Sequence, residues 1–111
     1  MRNLTDLVKK HGRVWLFISN ENRTKDFIKR ATDEGFRYHN GSKISDRDNG
    51  VLWGLHEDLT VTHLSMMCWC LSYKCDPEEI PVRIDYRKYI DGEEDYICHK
   101  SPIKAVSYEL K

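Results

Sequence analysis

Residues 14–19 read VWLFIS, an apolar, aromatic and β-branched run of strand length. A run with no polar alternation suits a strand covered on both faces, so it marks the centre of a sheet and calls for packing layers around it.

The flanking sequence supplies those layers. Asn3 can cap a short helix carrying Leu4, Leu7 and Val8, with Gly12 ending it. Phe27, Ile28 and Ala31 form an apolar stripe at helical spacing before Gly35, which predicts a helix from about Asn22 to Glu34. Phe36, Arg37 and Tyr38 can begin a second strand, and the polar loop HNGSKISDRDNG follows with two Asn-Gly pairs suited to turns. VLWGLHE and TVTHLSM, joined around Glu57, Asp58 and Leu59, read as an antiparallel hairpin. Pro77 and Pro81 bracket a turn, VRID reads as a further strand, and Asp85 can cap a short helix through Tyr89 and Ile90 that Gly92 closes. YIC and IKAVSYEL have the alternation of edge strands.

With 111 residues and no internal repeat or linker, the chain is expected to form a single domain spanning 1–111. The expected fold class is α+β: a mostly antiparallel sheet with one main helix packed on one face.

Cysteine placement adds a chemical question. Residues 66–75 read MMCWCLSYKC, and Cys98 stands beside His99. No leader with a cleavage site and no bilayer-length apolar run is present, so a cytoplasmic, membrane-free location is expected and a disulfide staple is disfavoured. If the segment is extended, Cys68 and Cys70 project from one face, Cys75 returns from the turn, and Cys98 or His99 completes a tetrahedral set for structural Zn2+. The spacing is not that of a finger or ribbon, and cysteine also fills cores, so zinc and core filling both stand as readings. Trp69, between two of these thiols, is then expected to face away from them. His56 and His63 lie on the two hairpin strands, within reach of one another across the pair.

Eighteen basic and eighteen acidic residues balance, so no net field draws the chain to nucleic acid or to an anionic membrane. The charge is nonetheless divided. Residues 1–50 hold 11 Lys/Arg and 7 Asp/Glu, and the acidic segment from Asp76 to Asp95 holds eight acids and three bases. Asp76, Glu78, Glu79, Asp91, Glu93, Glu94 and Asp95 are the candidate partner-binding residues, able to dock on a basic protein groove or simply to solvate the domain. Lys25, Lys29, Arg30, Arg37, Lys43 and Arg47 offer phosphate contacts instead, which gives the alternative of a small zinc-binding, nucleic-acid-binding regulator.

No GxGxxG turn, Walker loop, GxSxG elbow or HExxH helix occurs, and no catalytic role is assigned.

FIKRATDEGFRYHNGSKISDR, from Phe27 to Arg47, resembles a pattern found in small accessory proteins of phages and prophages of Gram-positive bacteria. Phe27, Ala31, Glu34-Gly35-Phe36, Asn40-Gly41, Lys43 and Arg47 carry the likeness, followed by the strand ending at His56 and the turn at Asp58. In size and character the chain is similar to type II anti-CRISPR proteins. That resemblance implies a non-enzymatic inhibitor of a host CRISPR RNA-guided DNA nuclease, acting in the bacterial cytoplasm by stoichiometric binding that blocks DNA loading. It implies no direct contact with nucleic acid or a small-molecule substrate, and the family's diversity transfers no list of functional residues.

Overall fold

Alternation along VWLF decides where the two faces of the sheet lie. A computed structural model, describing residues 3–18, 21–44, 50–76, 78, 80–92 and 97–98, places this run in strand β1 (Val14–Phe17). Val14 and Leu16 are fully buried on one face, whereas Trp15 and Phe17 turn to the other and are half-buried. β1 lies inside the sheet, antiparallel to β3 (Leu52–Leu55) and parallel to β5 (Val82–Asp85). β4 (Thr60–His63) extends the sheet antiparallel to β3, and the short β2 (Arg37–Tyr38) runs parallel to β4. The strand order is β2-β4-β3-β1-β5.

A mostly antiparallel sheet was the expectation, and the structure corrects it. Two pairings are antiparallel and two are parallel, so the sheet is mixed. Local hairpin logic holds for β3 and β4, but β5 reaches β1 only after a long excursion, and a long crossover permits parallel entry.

Helices cover both faces, not one. α1 (Leu4–His11) and α2 (Glu21–Asp33) lie on the face of Val14 and Leu16, where Leu4, Leu7, Val8, Phe27, Ile28 and Ala31 join the main core. α4 (Tyr86–Asp91) joins them: the Tyr86 ring meets Phe27 edge-on at 5.6 Å, and the Tyr89 hydroxyl donates to the Asn3 carbonyl. Among the described helices only α3 (Met66–Ser72) packs on the opposite face, over a smaller cluster of Leu52, Trp69 and Cys70 with Trp15 and Phe17 at its margin.

The helix ends follow the expected capping chemistry. Asn3 accepts from the Asp6 N–H, Gly12 ends α1 with φ +82°, and Asp85 accepts from the Lys88 N–H to start α4. Ile97 forms an isolated antiparallel bridge to Ile84, one contact where an edge strand over YIC was expected; Tyr96 lies outside the described residues. The IKAVSYEL segment lies outside the described residues.

Candidate protein-contact surface on α3

Ser65 decides the conformation of the cysteine stretch. Its side chain accepts from the Cys68 N–H at 3.0 Å, a helix N-cap, and Met66 to Ser72 follow as helix α3. The extended reading of MMCWC is therefore corrected. Helical rotation puts Cys68 and Cys70 roughly 200° apart instead of on one face. Trp69 and Cys70 are adjacent on the inward side, which also overturns the expectation that Trp69 faces away from the thiols.

Burial of Trp69 is what anchors this short helix. Its ring lies 6.2 Å from Phe17 and meets Tyr73 edge-on at 6.0 Å. Arg83 of β5 adds a polar clamp: its guanidinium sits 3.7 Å above the Tyr73 ring and donates to the Ser72 hydroxyl at 3.0 Å. The Ser72 hydroxyl in turn donates to the Trp69 carbonyl, and the Tyr73 hydroxyl donates to the Cys98 carbonyl at 2.9 Å. Sequence reasoning passed over Arg83; a lone arginine in a strand of an apolar face would have been the signal.

With the inner side held, the side of α3 that carries Met67 and Leu71 is left apolar and open, and Met66 is exposed at the start of the helix. Met66, Met67 and Leu71 are 46%, 49% and 44% exposed, and Cys68 and Cys75 are exposed beside them. Three of the four exposed large hydrophobic residues among the described residues thus lie on one seven-residue helix. Isolated exposed apolar side chains are ordinary, but a cluster carried on an anchored helix is the form a contact surface takes. Methionine suits such a surface because its flexible thioether adapts to a partner's shape.

The thiols divide into two environments. Cys70 is buried and Cys98 half-buried at the margin of the small cluster, while Cys68 and Cys75 face outward. Burial, with the Asp85 carboxylate adding to it, pushes the Cys98 thiol up to about 11. Among the described residues no group of three or more His, Cys, Asp or Glu side chains is placed to hold a metal ion. Cys70 and Cys98 are the two candidate ligands that share a cluster, and His99 lies outside the described residues.

Acidic residues are spread over the molecule. Asp76 and Glu78 come four and six residues after the end of α3 and are exposed; Glu78 lines a depression with Arg13 and Glu57 near the start of β1. Asp91 sits beyond the other end of β5 and pairs with Arg23 at 3.0 Å. Glu79, Glu93, Glu94 and Asp95 lie outside the described residues. The two hairpin histidines do not meet: His56 stacks on His39 at 6.4 Å, whereas His63 lies 4.2 Å from Trp53 and 3.0 Å from the Tyr38 hydroxyl.

Basic residues divide as well. Arg30 donates to the Tyr86 hydroxyl and Arg37 to the Phe36 carbonyl, while Lys25, Lys29 and Lys43 are exposed and Arg47 lies outside the described residues. No helix among the described residues is long and apolar enough to cross a membrane. Comparison of the chain with protein-family models, with curated proteins and with solved structures finds no match.

Proposed function

We propose that this chain is a non-catalytic inhibitor that acts by binding another protein through the outer face of α3, with a CRISPR RNA-guided DNA nuclease as its target. The apolar exposure of Met66, Met67 and Leu71 on a helix fixed from beneath by Trp69 and Arg83 carries the reading. A rigid base lets an apolar patch bind without a large ordering cost. Asp76 and Glu78, four and six residues beyond the end of the helix, add exposed negative charge to the segment that leaves it. Such nucleases hold nucleic acid in positively charged channels, and an apolar patch followed along the chain by acids suits the rim of one, where occupancy would block DNA loading without turnover. The resemblance of Phe27 to Arg47 to phage accessory proteins supports this choice of target.

The test is co-purification with type II effector nucleases, followed by a DNA-loading assay at increasing ratios of this chain. A one-to-one complex that abolishes loading is expected, and Met67→Glu with Leu71→Glu should remove it while thermal unfolding is unchanged. Failure to form a complex with any such nuclease, or inhibition untouched by the double variant, overturns the proposal.

A further inference from the structure

α2 presents a second concave surface, on the layer opposite α3. A depression of about 530 Å³ is lined by Lys25, Ile28, Lys29, Thr32, Asp33 and Ile44. It arises because the chain leaves β2, turns through Asn40 and Gly41, and returns to bury Ile44 in the main core next to Ile28. Lys25, Lys29 and Asp33 stand at the rim, and Ile28 and Ile44, each 5% exposed, show a narrow aliphatic strip at the floor.

Lys25 and Lys29 are one helical turn apart, which puts them on the same side of α2. Lys29 reaches Asp33 at 3.4 Å, but both side chains are largely in solvent, at 81% and 66% exposure. An ion pair so exposed contributes little, so an incoming anion can take the Lys29 ammonium at small cost. Thr32, half-buried on the same lining, adds a hydroxyl that can donate. Asp33 closes one end with a negative charge and directs an anionic group toward Lys25.

We propose that this depression binds an organic phosphate of nucleotide size, with its phosphate between Lys25 and Lys29 and its apolar body against Ile28 and Ile44. The volume falls within the range of small-molecule sites, and a bare inorganic anion would leave the aliphatic floor unused. Arg30 and Arg37 take no part, since their guanidinium groups are turned to Tyr86 and to the Phe36 carbonyl. The site stands apart from α3, so occupancy here and partner binding there are separable.

The experiment is a titration of the full chain, followed by amide NMR shifts at fixed ionic strength, with adenosine monophosphate, adenosine, inorganic phosphate and a short oligothymidylate. Saturable shifts at Lys25, Ile28, Lys29, Thr32 and Ile44 are expected for adenosine monophosphate, with a midpoint below about 1 mM. Adenosine and inorganic phosphate should each bind about tenfold more weakly, as should adenosine monophosphate to the Lys25→Gln, Lys29→Gln double variant. Both lysines are exposed, so that variant should unfold at the unchanged temperature. Three results would each overturn the proposal: no saturation by about 10 mM, equal midpoints for nucleotide and inorganic phosphate, or no effect of the double variant. Tighter, steeply salt-dependent binding of the oligothymidylate would also overturn it, in favour of a nucleic-acid surface.

Discussion

The Glu34 carboxylate, just beyond α2, accepts from the backbone N–H groups of both Leu4 and Thr5, at 3.0 and 2.7 Å, and from the Thr5 hydroxyl at 2.7 Å. One side chain thus satisfies two of the orphan donors that open α1, thirty residues earlier in the chain, and places a negative charge at the positive end of that helix. Local capping by Asn3 is supplemented by a tertiary cap that ties two helices together. Glu34→Ala should therefore lower the unfolding free energy by about 1–3 kcal/mol, read as a shift in the urea midpoint. Glu34→Gln should recover only part of that loss, and a full recovery would show that charge contributes nothing.

Gly54 occupies the middle of β3 opposite Thr62, and a Cβ there would stand 2.6 Å from the Thr62 Oγ1. The sheet has no room for a methyl group at this point unless the threonine gives way. Gly54→Ala should cost about 1–3 kcal/mol, and Thr62→Ala in the same chain should return about 1 kcal/mol or more. Strictly additive effects in denaturant unfolding would locate the strain elsewhere.

Much of this architecture is legible in the sequence. VWLF, the Phe27-Ile28-Ala31 stripe, the Asn3 and Asp85 caps and the hairpin around Glu57 each carry their own local signal, and these elements stand close to their expected places, except that the strand expected over TVTHLSM stops at His63 and Met66 already belongs to α3. α3 was not legible in that way. Its C-W-C alternation imitates a strand, and the decisive Ser65 cap lies just outside the pattern that drew attention. The parallel pairing of β1 with β5 has no local signal at all, because it depends on a contact between residues about 68 positions apart.

The split environments of the four cysteines set a reactivity pattern. Cys68 and Cys75 are exposed, whereas Cys70 is buried and Cys98 is shielded with its thiol held protonated. An aromatic disulfide reagent at pH 8 should titrate two thiols quickly in the native protein, and the other two only on unfolding. Peptide mapping should place the fast labels at Cys68 and Cys75. Four equally fast thiols would contradict the packing of α3.

Alkaline sensitivity follows from the same burial. Cys98 is pushed up to about 11 from 9.0 and Tyr73 to about 12 from 10.0, and burial also raises Tyr86. Each group keeps its proton longer in the folded chain than in the unfolded one. Their contribution to stability is thus complete below about pH 9 and is lost as pH climbs from there through about 12. Chemical denaturation across that range should show a falling midpoint from pH 9 upward. With Cys98→Ala the fall should begin nearer pH 10, where the unfolded tyrosines start to ionise.

β1 precedes every other strand of the sheet in sequence, yet it occupies an interior place in it. Both of its neighbours, β3 and β5, come later, and the second of them only at residues 82–85. On a translating ribosome this sheet cannot be completed until residues 82–85 have emerged. The apolar run VWLF can pair with β3 once residues 52–55 appear, but its other edge stays open until β5 arrives. High contact order of this kind slows folding and prolongs exposure of an aggregation-prone strand. Helix α1 has no finished sheet to rest on until β5 arrives.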